Sequence, residues 1–171
     1  MKAFLAIDVQ KALISGAYNE VEVLSAISLT IKKIRNAGGL IVFTQHCHSS
    51  FKPMMKGQPG WQLHDSLDVR PNDIIVEKTA SDSFYQSSLD QTLQDHKVDH
   101  VVVSGLQTEF CVDATCRSAL SHGYSVTLVS DAHTTGDGVF KAKDVISHHN
   151  YALSYLAHPS LSIEITSSAE I

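Results

Sequence analysis

No stretch of this chain carries a run of positive charge. Lys and Arg total 13 against 18 Asp and Glu, giving a formal net charge of −5, and they stand singly or in short pairs such as Lys32-Lys33. A nucleic-acid partner needs a basic stripe to track its phosphates, so none is expected. Long apolar runs are missing as well. The opening MKAFLAIDVQ has one Lys and a short apolar run ending at Asp8, too brief for a signal peptide's apolar region or a membrane span, and it reads as a buried strand. Cysteine is scarce: Cys47, Cys111 and Cys116 are an odd number with no CxxC spacing, which argues against a disulfide framework or a zinc knuckle and suits a reducing, cytoplasmic setting. The ten histidines are spread from His46 to His158 without an HExxH pattern, so their abundance alone implies no helical zinc site. Neither a repeat nor a low-complexity tract nor a linker divides the 171 residues. That length suits one domain over 1–171.

What is present is an alternation of two patterns. Short β-branched runs at Ala3–Val9, Leu40–Thr44, Ile74–Glu77, His100–Ser104, Ser125–Val129 and Leu161–Ile165 alternate with longer amphipathic stretches, which favours βαβ units. Most of these runs are apolar almost throughout, as expected for strands covered on both faces by helices. Val23, Leu24, Ile27, Ile31 and Ile34 recur at helical spacing within Val21–Asn36, and Gly38-Gly39 follows as a stop. Further helices are predicted over Ser88–Asp95, Val112–His122 and Val139–Ala157. Between the second and third strands lies His46–Asp73, rich in Gly, Pro, Met, His and Ser. Loops of this length inside a compact domain commonly bind ligand or act as lids.

In a doubly wound sheet, ligands sit beyond the carboxyl ends of the strands, so polar residues that end an apolar run are the first candidates. Asp8, Lys78 and Cys111 occupy such places. Each has a plainer reading, as a helix cap, a solvated edge charge and a small buried apolar residue respectively. Their shared edge favours a joint site, because burial of an unpaired Asp or Lys is costly and a mutual ion pair offsets that cost. Cys111 stands where a helix should begin, with Thr108 or Glu109 as its cap. The helix dipole and a nearby Lys78 are expected to lower the thiol's pKa from about 8.5. Asp8 supplies a base that takes the thiol proton and returns it to a leaving nitrogen. Backbone N–H groups of the Leu106–Cys111 turn offer an oxyanion hole.

These residues resemble the isochorismatase-like cysteine hydrolases, a family that includes nicotinamidases, N-carbamoylsarcosine amidohydrolases and ureidoacrylate-type amidohydrolases. The resemblance runs from AIDVQ at 6–10 through FTQH at 43–46 and DIIVEKTASDSF at 73–84 to VVVSGLQTEFCVDATCRSALSHGYSVTLVSDAH at 101–133. Its most specific element is Gly-x-x-Thr-x-x-Cys-Val from Gly105 to Val112. The family's triad falls on Asp8, Lys78 and Cys111, and its cis peptide falls on Leu106–Gln107, with Gln107 and Cys111 N–H groups in the oxyanion hole. The resemblance further implies a three-layer αβα, Rossmann-like fold with a six-stranded, mostly parallel sheet. It also implies a covalent thioester, and a homodimer or homotetramer.

Retention of Cys111 points to hydrolysis of a C–N bond in a small carboxamide, ureido or carbamoyl compound. Two other readings are a redox or thiol-transfer centre at the same cysteine, and a non-catalytic binding member of the fold. The pocket rim is expected to draw on Gln10, Gln45, Trp61, Phe84 and Gln107, with Phe84 equally suited to the core. No cofactor is expected. Metal-binding relatives carry an Asp-x-His element where this chain has His46-Cys47-His48, so a divalent site built from His46, His48 and His64 is the lesser expectation. Cys116, five residues beyond Cys111 on one helix, is turned away from the site.

Overall fold

The computed structural model describes all of residues 1–171. Six strands, β1 (Lys2–Ile7), β2 (Leu40–His46), β3 (Ile74–Lys78), β4 (His100–Leu106), β5 (Ser125–Thr134) and β6 (Ile163–Thr166), form one sheet in the order β3-β2-β1-β4-β5-β6. Every pairing is parallel, where the sequence pattern foresees a mostly parallel sheet. The helices are α1 (Lys11–Ile14), α2 (Glu20–Asn36), α3 (Leu89–Asp95), α4 (Asp113–Ser121) and α5 (Ala142–Ser154). None is long and apolar enough to cross a membrane.

Successive strand residues point to opposite faces, and the core divides accordingly. Phe4, Ala6, Phe43 and Val102 pack with Val23, Ile27 and Ile31 of α2 on one face. Leu5, Val42, Val101 and Val103 pack with Leu93 of α3, Cys116 and Ala119 of α4 and Leu153 of α5 on the other. The result is the three-layer αβα, Rossmann-like arrangement. The strand order reverses direction between β1 and β4, whose ends are paired through Ile7 and Gly105. A crevice opens at such a reversal, because the crossovers leave it in opposite directions.

The short helix α1 is not foreseen in the sequence pattern, and two of the foreseen elements differ from it. The apolar run of β5 stops at Val129, yet the strand continues through polar Ser130, Asp131, His133 and Thr134. After a register shift it rejoins β4 with Gly105 opposite His133 and Leu106 opposite Thr134, so backbone pairing rather than apolarity extends it. Helix α5 starts at Ala142 instead of Val139, where Asp137 accepts the Ala142 N–H at 2.9 Å and thereby satisfies the helix's first donor. The 47–73 segment holds only two short tight turns, Lys52–Met54 and Pro59–Trp61, and is tied to the sheet edge by a bridge from Gln10 to Leu63.

Candidate active site

Asp8 follows the last residue of β1 with φ 48°, a left-handed conformation that Asp tolerates better than most residues. Its backbone N–H donates to Thr44 Oγ1 at 3.0 Å, and the Thr44 hydroxyl donates to Asp8 Oδ1 at 2.5 Å. The other oxygen, Oδ2, lies 2.7 Å from Lys78 Nζ, with both side chains wholly buried. Apart from this ion pair Oδ2 accepts no hydrogen bond, so a lone pair stays free for another proton. Lys78, the last residue of β3, also donates to Ala80 O at 2.9 Å and Ser81 O at 3.3 Å. An ammonium with this many acceptors is fixed in position.

Cys111 stands on a single wide turn, Thr108–Val112, between β4 and α4. The turn is wide because both Phe110 N–H and Val112 N–H reach Gln107 O at 3.1 Å, the second spanning five residues, a pattern frequent at functional sites. The Leu106–Gln107 peptide that leads into it is cis, and the Gln107 N–H makes no hydrogen bond within the chain. Neither Thr108 nor Glu109 caps the helix as the sequence suggests. The Thr108 hydroxyl is bonded to His133 Nδ1 at 2.9 Å, and Glu109 accepts from Thr135 Oγ1 at 2.9 Å. Cys111 Sγ, an Asp8 carboxylate oxygen and a His46 ring nitrogen all lie within 4.8 Å of one another.

The thiol's acidity runs opposite to expectation. The Cys111 pKa is raised to about 11: burial is the largest cause, the Asp8 charge adds to it, and Lys78 only partly opposes them. Burial penalises the anion more than one ammonium repays, since that ammonium is already shared with Asp8. At neutral pH Cys111 is therefore a thiol beside a carboxylate.

The remaining candidates fall into separate places. Gln10 and Gln45 are buried; both ends of the Gln10 amide, and the Nε2 of Gln45, bond to backbone. Gln10 Nε2 donates to Trp61 O at 2.6 Å and His46 O at 3.2 Å, Gln10 Oε1 accepts from His46 N at 2.9 Å, and Gln45 Nε2 donates to Trp61 O at 3.2 Å. They brace the long loop. Trp61, half-buried, donates its indole N–H to Cys47 Sγ at 3.3 Å. Phe84 takes the second of its two expected places, the core: its ring stacks on His122 at 4.5 Å and Tyr124 at 5.9 Å, beyond the far end of α4, a helix roughly 14 Å long. Gln107 lines a cavity of about 750 Å³ with Glu109, Phe110, Thr135, Phe140 and His149, and sequence periodicity gave no sign of that cavity.

The three imidazoles His46, His48 and His64 do not make one donor set. His48 Nδ1 accepts from the Ser50 and Phe51 N–H groups, and the His64 ring is bonded to Ser66 Oγ. His46 instead turns toward Lys78, with Nδ1 at 3.4 Å from Nζ. Burial first and the Lys78 charge second lower its pKa, which keeps the ring neutral beside the ammonium. Lys78 Nζ thus lies against both Asp8 Oδ2 and His46 Nδ1, at 2.7 and 3.4 Å.

A doubly wound parallel sheet that gathers a carboxylate, an ammonium and a thiol at its reversal point defines a Rossmann-like α/β protein with a thiol centre. The chain belongs to the isochorismatase family: the isochorismatase domain model matches residues 2–164. It is 35% identical over 140 residues to a streptothricin hydrolase of Streptomyces noursei, covering 80% of this chain and 51% of that protein. The chain thus spans about half the length of that relative. A solved isochorismatase family protein superposes with a TM-score of 0.85 at 30% identity, over 97% of this chain and 98% of the other. N-carbamoylsarcosine amidase from Thermoplasma acidophilum superposes with a TM-score of 0.79 at 25% identity, over 99% and 98% of the two chains.

Proposed function

We propose that this chain is a cysteine-dependent hydrolase that cleaves a C–N bond of a small carboxamide, ureido or carbamoyl compound through a thioester. The observation that carries this reading is the buried Asp8–Lys78 pair at 2.7 Å with Cys111 Sγ within 4.8 Å of the Asp8 carboxylate. A thiol held protonated by burial needs a base at the moment of attack, and Asp8 Oδ2 has a lone pair to serve.

The sulfur attacks the carbonyl carbon as Asp8 takes the thiol proton. The carbonyl oxygen gains the electron pair and is held by the unpartnered Gln107 N–H and the Cys111 N–H. Collapse breaks the C–N bond, and Asp8 passes its proton to the departing nitrogen, leaving the thioester. Water then attacks the acyl carbon while Asp8 accepts a proton from it. Release of the acid returns that proton to sulfur, so the enzyme ends as it began. Lys78 keeps Asp8 oriented and offsets its buried charge throughout.

The names of two relatives, a streptothricin hydrolase and an N-carbamoylsarcosine amidase, support C–N hydrolysis as the class. The same reading includes homo-oligomers and no cofactor. A screen against nicotinamide, pyrazinamide, biuret, ureido acids and aliphatic amides, with and without chelator, tests it. Turnover that vanishes in Cys111→Ala and an acyl adduct on Cys111 by mass spectrometry are expected. Full activity of Cys111→Ala would sink the mechanism.

A further inference from the structure

One buried network outside the reacting groups leads directly to the turn that carries Cys111. His133, on the polar extension of β5, is 1% exposed. Its Nε2 lies 2.9 Å from Asn150 Oδ1, on α5, and its Nδ1 lies 2.9 Å from Thr108 Oγ1. The Asn150 amide is itself oriented, because its Nδ2 donates to Ser130 O at 3.2 Å. That fixes Asn150 Oδ1 as an acceptor, so the proton of the imidazole sits on Nε2. Nδ1 is left as an acceptor, and the Thr108 hydroxyl donates to it.

We propose that His133 is a positioning residue whose neutral imidazole, fixed in one tautomer by Asn150, holds Thr108 and thereby the Thr108–Val112 turn that presents the Cys111 thiol and the Gln107 N–H. The inference rests on Cys111 being the nucleophile. Thr108 is the first residue of the turn, and Gln107 O, immediately before it, receives the two N–H bonds that set the turn's width. A displacement of Thr108 is therefore passed to Gln107 and Cys111 together. The second tie, Glu109 to Thr135 Oγ1, holds the following residue to the same end of β5. Burial lowers the His133 pKa to about 4, so the ring stays neutral across the working pH range and the pattern of donor and acceptor is constant. His133 touches no reacting atom; it acts through Thr108.

A buried network of this kind also stabilises the fold, and the two roles separate by measurement. In the full chain, Thr108→Val removes only the hydroxyl, His133→Leu removes both ring nitrogens, and His133→Gln keeps one acceptor and one donor. Far below each variant's melting temperature, Thr108→Val and His133→Leu are expected to lower kcat about 10- to 100-fold with KM within about twofold of wild type. The double variant is expected to be no worse than His133→Leu, and His133→Gln to recover most of the loss.

A second readout does not depend on amide turnover. Iodoacetamide modification of Cys111, followed by peptide mass spectrometry, is expected to accelerate at least about threefold in Thr108→Val and His133→Leu, because a loosened turn lets the buried thiol reach solvent. Cys116, fully buried on α4, is the internal reference and stays unmodified while the protein is folded. Should His133→Leu fail to fold, Thr108→Val breaks the same bond with little change in shape. Wild-type kcat and wild-type alkylation in Thr108→Val would overturn the inference. A wild-type enzyme that hydrolyses no amide would defeat the proposed function, and the alkylation rates alone would then decide the role of His133.

Discussion

Gly105 of β4 lies flat against Ile7 of β1: a Cβ on Gly105 would come within 2.0 Å of the Ile7 carbonyl oxygen and 2.7 Å of the Ile7 nitrogen. Its φ of 116° is also one that side chains avoid. These two residues close the crevice at the sheet's reversal point, directly before Asp8 on one strand and the Leu106–Gln107 peptide on the other. Gly105→Ala must push β4 away from β1, and no flexible side chain is available to yield. The expected cost is about 3–5 kcal/mol, at the upper end for single substitutions. Thermal and urea denaturation of the variant against wild type measure it, and a loss below 1 kcal/mol would show that the strands shift freely.

Lys78 and Asp8 depend on each other for burial. Lys78→Met leaves the Asp8 carboxylate wholly buried without its counter-charge, with an expected destabilisation of about 3–5 kcal/mol. Lys78→Met combined with Asp8→Asn removes both charges and should recover part of that stability while remaining inactive. Denaturant midpoints of the single and double variants read the coupling, and additive losses would mean that the pair is not mutually compensating.

Asp8→Asn separates acidity from catalysis. The Asp8 charge raises the Cys111 pKa while Lys78 lowers it, so removing the carboxylate shifts the thiol toward thiolate. Alkylation of Cys111 at pH 8 is expected to rise at least about threefold, although amide turnover disappears with the base. Rates that fall together would place Asp8 as a support of the thiolate rather than a proton acceptor.

Alkaline stability should carry the signature of the same thiol. The folded pKa of about 11 stands above the ordinary 9.0, so the native state binds the proton more tightly than the unfolded chain. The resulting stability is fully present below pH 9 and is lost as pH rises through about 11, an amount on the order of 3 kcal/mol. Cys111→Ala removes this contribution. Melting temperatures of wild type and variant across that window should fall more steeply for wild type, and parallel curves would contradict the raised pKa.

Much of this architecture could be read from the residues. The apolar runs place five of the six strands to within two residues at each end, since parallel strands buried on both faces leave a continuous hydrophobic signal. Helix α2 is plain from the spacing of Val23, Ile27, Ile31 and Ile34. Elements with another origin were hidden. The polar end of β5 is held by ladder bonds to Gly105 and Leu106, which hydrophobicity does not register. The sign of the Cys111 shift depends on how deeply the sulfur is buried and on how the Lys78 ammonium is shared, and both are three-dimensional quantities. Gln10 and Gln45 look like surface binding groups by residue type, but tertiary contacts turn their amides onto backbone carbonyls. The His133 network was likewise invisible, because Thr108, His133 and Asn150 belong to three different elements.

The 47–73 segment is tied to the strands that carry the site by the amides of Gln10 and Gln45 and by backbone bonds from Cys47 N–H to Lys78 O and from His64 N–H to Val9 O, whereas Asp8, Lys78 and the Cys111 turn belong to the sheet and its first connections. On the proposed mechanism the reacting groups therefore stand on the sheet while the segment is a separate, loop-built part of the chain. Exchanges in that segment are expected to leave Asp8, Lys78 and Cys111 in place. A scaffold of this kind can be re-tuned by grafting a loop, provided that the carbonyls of His46 and Trp61 still meet the Gln10 amide.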